Sequence, residues 1–106
     1  MLYEVNEGGS CTRIRILGPV DFDSVEPFRR LLERYVAQGK SILLDLESCS
    51  FLCSMAVGLV LGFAIQARQN GGDLRITKAC DRIRELLEEV RGADLILSGS
   101  PDECKQ

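Results

Sequence analysis

Serine, cysteine and aspartate are the residues of this chain that could do chemistry, and several of them lie between Glu47 and Ala56. Within that stretch Ser54 follows a strongly apolar run, 42–46, and begins a second apolar run. A strand that delivers a short polar side chain to a helix N-terminus makes a site that anions can reach. We therefore predict that Ser54 and the helix behind it form a protein-docking face, with Ser54 as its candidate switch.

The same stretch gives little support to catalysis. The chain has no histidine, so nothing can activate Ser54 as a serine nucleophile. Cys53 would have the helix N-terminus to lower its pKa but no paired base, which leaves an enzyme or ligand binder that uses Cys53 as a remote alternative. No Walker or Rossmann glycine pattern is present. The glycine pairs Gly8-Gly9 and Gly71-Gly72 are predicted to form turns. We expect a protein that is not an enzyme and needs no cofactor.

Metal binding is also not expected. The five cysteines lack the close pairs of a structural zinc site, and small apolar side chains that fill gaps are their commoner role. Asp21, Asp23 and Asp45 could meet at one end of a sheet, where acidic residues can bind magnesium. Helix capping is the commoner function of such residues.

Length and charge restrict the remaining classes. A chain of 106 residues with 45% apolar and 27% charged residues is typical of one globular domain. The net charge is −3 with no basic patch, so no nucleic-acid partner is predicted. The longest apolar run, Met55 to Ile65, is shorter than the ~20 residues of a spanning helix, so no membrane insertion is expected. The first residues lack a signal-peptide pattern, which predicts a cytoplasmic protein with free thiols.

Hydrophobic periodicity predicts the elements that position Ser54. Strands are predicted at 2–7, 12–17, 41–47, 73–77 and 93–98, and helices at 24–38, 54–69 and 81–91, the last starting at Cys80 or Asp81. The order β-β-α-β-α-β-α-β predicts a single α/β domain, residues 1–99, with a mostly parallel sheet and an antiparallel edge strand. Residues 100–106 are predicted to form a flexible C-terminal tail.

Local signals predict the helix ends and one unusual surface. Ser24 is the predicted N-cap of the first helix, with Asp23 as an alternative, and Ser54 is the predicted N-cap of the second. Gly58 and Gly62 lie four residues apart on the second helix. They are interpreted either as a close contact with the sheet or as a smooth patch for a partner.

A family resemblance rests on the passage Ile42-Leu43-Leu44-Asp45-Leu46-Glu47-Ser48-Cys49-Ser50-Phe51-Leu52-Cys53-Ser54-Met55-Ala56-Val57-Gly58-Leu59. It resembles the signature of STAS domains, and more narrowly that of bacterial anti-sigma factor antagonists. Gly18-Pro19-Val20-Asp21 is similar to the Gly-x-Leu-Asp of this family, and 70–74 resembles its Gly-Gly-x-Leu turn. The likeness covers about 11–98.

The resemblance implies a cytosolic regulator that docks on a serine protein kinase of the histidine-kinase-like ATPase type, which acts as the anti-sigma factor. Ser54 matches the serine that is phosphorylated in the family, with Ser48 and Ser50 as fallback positions. The family's Asp-Ser-Ser-Gly reads here as 53–56, Cys-Ser-Met-Ala, so the preceding acid is missing. The predicted partner-binding residues are Asp21, Cys53, Ser54, Met55, Ala56, Val57 and Gly58.

Two interpretations remain open at this point. A serine at a helix start is explained equally well by phosphorylation or by capping alone. The alternative function is a structural STAS subunit without phosphorylation, in a signalling scaffold or a transport ATPase complex. A homodimer, or assembly with another STAS protein, is a further expectation.

Overall fold

The computed structural model describes residues 1–9 and 11–89. Its elements are β1 (Leu2–Gly8), β2 (Cys11–Leu17), a short 3-10 turn (Phe22–Ser24), α1 (Val25–Ala37), β3 (Ser41–Leu46), α2 (Ser54–Gln69), β4 (Asp73–Ala79) and α3 (Asp81–Glu88). This confirms the predicted order as far as the third helix. The predicted last strand, 93–98, and the predicted tail, 100–106, lie outside the described residues.

The sheet confirms the predicted α/β architecture. Its described strands lie in the order β1-β2-β3-β4, with β1 antiparallel to β2 and the other pairs parallel. The parallel strands are joined by helical crossovers, as this strand direction requires. One irregularity interrupts the register between Leu44 and Asp45, where β3 pairs with β4.

The core lies between this sheet and the helices. Alternate side chains of the three parallel strands, including Ile14, Leu44 and Ile76, form one buried cluster with the inner faces of α1 and α2. Two residues of α3, Ile83 and Leu87, join the same cluster. Central strand β3 is also buried on its second face, which confirms the prediction made from its continuous apolar run.

The aspartates have structural positions rather than a shared site. Asp45 is fully buried, accepts a hydrogen bond from the Glu47 backbone N–H at 3.0 Å, and lies 3.4 Å from the Arg15 Nε. Asp21 accepts from the Ser24 backbone N–H at 3.2 Å and so begins the 3-10 turn before α1. Within residues 1–9 and 11–89, no group of three or more metal-ligating side chains is present.

Two expectations about the rest of the chain need correction. Ser24 is the N-cap of α1, as predicted, but its side chain makes no capping hydrogen bond, because the 3-10 turn already bends the chain into the helix and Asp21 supplies the acceptor. Cys49, Cys53 and Cys80 are free thiols, but Cys11 is disulfide-bonded, so the thiols are not all free.

In the described part of the chain, no helix has the length and apolar character needed to cross a membrane.

Candidate protein-docking site around Ser54

The start of α2 is held in place by contacts between the segment around Val20 and the segment around Leu52. Val20 and Leu52 form an isolated parallel bridge. On either side of it, the Val20 N–H donates to the Phe51 carbonyl at 2.8 Å and the Cys53 N–H donates to the Val20 carbonyl at 2.9 Å. These bonds keep the chain extended up to Cys53. They also bring Asp21, which follows Val20, to the same end of the sheet as Ser54.

This bridge fixes where α2 begins. Cys53 has extended backbone angles, φ −71° and ψ 163°, and its carbonyl accepts the first helical bond from the Val57 N–H at 3.0 Å. Cys53 is therefore the N-cap, and Ser54 is the first helical residue. The prediction that Ser54 caps α2 is wrong, because the bridge holds the chain extended one residue further than the sequence suggested. No side chain caps this helix.

The predicted site residues divide into exposed and buried ones. Asp21, Ser54, Met55 and Gly58 are exposed. Cys53, Ala56 and Val57 are buried in the core, so their side chains support the site from beneath, although Val57 also lines a groove described below. The fallback positions Ser48 and Ser50 are exposed on the preceding loop.

The exposed face of α2 carries no charge over most of its length. Its exposed residues are Ser54, Met55, Gly58, Gly62, Ile65, Gln66 and Gln69. Arg68 is the one charged residue among the 16 of this helix, and it is ion-paired with Asp73 at 3.0 Å. A neutral helix face in water, with apolar Met55 half-exposed at 56%, is typical of a surface that another protein covers.

The two glycines of α2 belong to this surface. A Cβ atom built on Gly58 or on Gly62 would have no atom within 4 Å other than those of its own helix backbone and chain neighbours. The interpretation that these glycines allow a close contact with the sheet is therefore wrong. They instead leave the outer face of the helix smooth, which agrees with the second interpretation.

Two hydrophobic residues that the sequence did not assign to the site adjoin it. Leu86 of α3 closes a groove of about 290 Å³ against Ser54, Val57, Gly58 and Leu61. It lies beside the buried Ile83 and Leu87 of the same helix but is itself partly exposed.

Phe51 is the second of these residues. It is 46% exposed on the loop before α2. It lines a neighbouring cavity of about 360 Å³ with Arg82, Glu85 and Leu86 of α3 and with Glu89, which follows that helix. A lone aromatic residue in a polar loop was the sequence signal that could have identified it.

The cysteines of the loop stabilise it. Burial raises the pKa of the Cys49 thiol, which is therefore protonated at neutral pH and donates to the Phe51 carbonyl at 3.1 Å. The Cys53 side chain is only 2% exposed, so a substrate in solution cannot reach it. The geometry thus favours a structural role for both thiols.

Comparisons with known proteins show the family of this chain and its fold. The family model of the STAS domain matches residues 3–104. The chain belongs to the STAS domain family. A curated relative, the anti-sigma F factor antagonist of Lysinibacillus sphaericus, is 34% identical over 90 residues, which cover 83% of this chain. The chain spans 60% of the length of that relative.

Solved structures show the same fold. The unphosphorylated anti-sigma factor antagonist SpoIIAA has a TM-score of 0.69 at 22% identity, covering 96% of this STAS domain and 92% of the other chain. A Bacillus SpoIIAA structure in the phosphorylated form also has a TM-score of 0.69, at 21% identity, with coverage of 97% and 96%. An anti-sigma factor antagonist from Mycobacterium paratuberculosis has a TM-score of 0.73 at 15% identity, with coverage of 96% and 88%.

Proposed function

We propose that this STAS domain is a bacterial anti-sigma factor antagonist that acts in the cytoplasm by binding another protein and has no catalytic activity of its own. The observation that carries the proposal is the position of Ser54. Its side chain is exposed on the first residue of α2, has no capping role, and adjoins a neutral helix face. The 34% identity with an anti-sigma F factor antagonist supports the same function.

The proposed partner is an anti-sigma factor that is also a serine protein kinase of the histidine-kinase-like ATPase type. The unmodified antagonist docks on it through Ser54, Met55, Gly58 and the groove that Leu86 closes. Docking removes the exposed apolar side chains of this surface from water, which is the main favourable term in most protein associations. It would also place the Ser54 hydroxyl where the kinase can transfer a phosphate to it.

Phosphorylation of Ser54 is the proposed switch. A phosphate adds about −1.5 to −2 charges at neutral pH. At the first turn of a helix this charge is favoured by the helix dipole and by backbone N–H groups, so α2 itself tolerates it. The cost arises in the complex, because the added charge would be desolvated against a partner surface that fits a neutral one. The switch thus changes binding while the fold is unchanged.

The missing acid before the serine is compatible with this mechanism. The position is occupied by Cys53, whose side chain points into the core cluster and not toward a partner. With cysteine in place of the family's acid, α2 has no side-chain cap, since cysteine is a poor capping residue and no capping hydrogen bond forms. The N–H groups of the first turn are therefore left without a side-chain acceptor, and a phosphate on Ser54 would be an acceptor for them.

The experiment is a phosphorylation assay with candidate kinases encoded in the same genome. The protein is incubated with each kinase and ATP, and the modified residue is identified by mass spectrometry. We expect one phosphate, on Ser54, and none on the Ser54→Ala variant. Ser48→Ala and Ser50→Ala are the matched controls and should be phosphorylated as well as the wild type. Phosphate at Ser48 or Ser50 with Ser54 unmodified would contradict the assignment.

The alternative function, a structural STAS subunit without phosphorylation, is favoured by one observation. The sequence around Ser54, Cys-Ser-Met-Ala, departs from the family pattern on both sides of the serine. On this alternative the same surface binds a scaffold or a transporter constitutively. Stable co-purification with a larger complex, with Ser54 unmodified in the cell, would support it over the switch.

A further inference from the structure

The first strand of the sheet has features that are independent of the Ser54 surface. Within residues 1–9 and 11–89, β1 pairs only with β2, so its other edge carries backbone N–H and C=O groups that have no strand partner. All its residues except half-buried Val5 are exposed, and Leu2 reaches 71%. An exposed edge of this length is a template for pairing with another strand.

Natural edge strands usually carry features that prevent such pairing, and β1 lacks most of them. Its sequence contains no lysine and no proline, and all seven of its residues pair with β2 without a bulge. Its two acidic residues have ion-pair partners within the chain: Glu4 lies 3.8 Å from Arg15, and Glu7 lies 2.7 Å from the Lys40 Nζ. Strand β4, the last of the described strands, carries Arg75 and Lys78, and its register with β3 is interrupted by an irregularity.

The charge pattern of β1 is complementary to itself. Two copies of β1 could pair about a two-fold axis perpendicular to the sheet. Residues that are opposite each other in an antiparallel pair have side chains on the same face of the sheet. The axis must therefore pass between the two copies of one residue. An axis at Val5 pairs all seven positions, Leu2 with Gly8, Tyr3 with Glu7 and Glu4 with Asn6 of the second copy. No two like charges are then opposite each other. An axis at Glu4 or at Glu7 would place two carboxylates face to face, which is destabilising.

We propose that a second copy of this chain binds at β1, antiparallel and in register about Val5, so that the two sheets join into one. This interface involves no residue of the Ser54 surface. The dimer would therefore present two docking surfaces, and failure of either proposal leaves the other intact.

A cysteine scan reads the register directly. Only a residue on the two-fold axis meets its own copy, at a Cα separation of about 4.5–5.5 Å that a disulfide can span. Val5→Cys should give a disulfide-linked dimer on mild oxidation, whereas Glu4→Cys and Asn6→Cys should not. The wild type is the control for its native cysteines. Cross-linking that is strongest at Glu4 or Asn6, or no cross-linking above the wild-type level at all, would overturn the proposal.

The mass of the unlinked protein gives the second measurement. Light scattering should show a molar mass that rises with concentration from 11.7 kDa toward twice that value. Val5→Lys places two ammonium groups opposite each other and should weaken the dimer by about tenfold or more, while Val5→Thr keeps a β-branched residue and should not. Gln69→Lys, at an exposed position of α2 far from β1 in the sequence, is the control for the effect of one added positive charge on the dimer. A wild-type mass that stays at 11.7 kDa at every concentration would overturn the proposal.

Discussion

The exposed faces of α1 and α2 differ sharply, although the two helices pack side by side. On α1, Arg29 forms ion pairs with Glu26 and with Glu33, and Arg30 lies 3.4 Å from Glu26. On α2 the exposed face is built from serine, methionine, glycine, isoleucine and glutamine. Ion pairs on a helix surface contribute only tenths of a kcal/mol each but keep the surface solvated. The contrast supports the proposal that α2 faces a partner, whereas α1 faces water.

The largest expected effect comes from making the face of α2 resemble that of α1. Gly58→Arg should weaken partner binding about a hundredfold, because it places a long charged side chain at the centre of the neutral surface. The fold should remain intact, since the space beyond Gly58 is open. Affinity would be measured by titration calorimetry.

Ala37→Arg is the matched control for this change. It adds the same charge to an exposed position at the end of α1 and should change the affinity less than twofold. Equal losses for the two variants would show that net charge, and not the face of α2, governs binding.

A second comparison is between the glycines of α2 and a glycine that packing requires. A Cβ on Gly72 would lie 2.5 Å from the Lys40 carbonyl oxygen, so the backbone would have to move. Gly72→Ala should lower the free energy of unfolding by about 2 kcal/mol, the usual cost of such overpacking. Urea denaturation measures this change, and an unchanged midpoint would mean that Gly72 does not lie as close to the Lys40 carbonyl as the structure shows.

Gly58→Ala should change the free energy of unfolding in the opposite direction from Gly72→Ala. No neighbouring atom obstructs the added methyl group, and alanine is favoured over glycine inside a helix by up to about 1 kcal/mol. The free energy of unfolding should therefore rise. A gain in stability combined with weaker partner binding would indicate that the glycine is kept for the surface. Lower stability would show that the methyl group is obstructed.

The smallest effect concerns the charged face of α1. The hydrogen bond from Arg29 lowers the pKa of Glu26 below its usual 4.5. A lowered pKa means that the contribution of this carboxylate is present above pH 4.5 and is lost as the pH falls through the folded-state pKa. Glu26→Gln should therefore reduce the melting temperature slightly at neutral pH, and the difference should vanish in acid. A difference that persists in acid would not come from this ion pair.

The sequence predicted most of the elements because their hydrophobic patterns are typical of their type: β2 alternates, α1 and α3 have helical spacing, and β3 and α2 are continuous apolar runs. In β2, for example, Ile14 and Ile16 alternate with Arg13 and Arg15, and of these four residues the two isoleucines are the buried ones. Local patterns of this kind depend on nearby residues alone. The family resemblance then located Ser54 within them.

The start of α2 could not be predicted in the same way. It depends on the bridge between Val20 and Leu52, which are 32 positions apart, and this tertiary contact overrides the capping preference of Ser54. The exposure of Leu86 likewise depends on how α3 packs against α2. Both features decide the shape of the docking site, and neither is visible in the local sequence.

We propose that one hydroxyl group on a neutral surface, that of Ser54, controls docking. The most direct measurement compares the affinity of three forms for the kinase that phosphorylates the protein: the wild type, Ser54→Ala and Ser54→Asp. We predict that Ser54→Ala binds as the wild type does and that Ser54→Asp binds at least about tenfold more weakly, since a carboxylate mimics part of the phosphate charge. Equal affinity of all three forms would contradict the account.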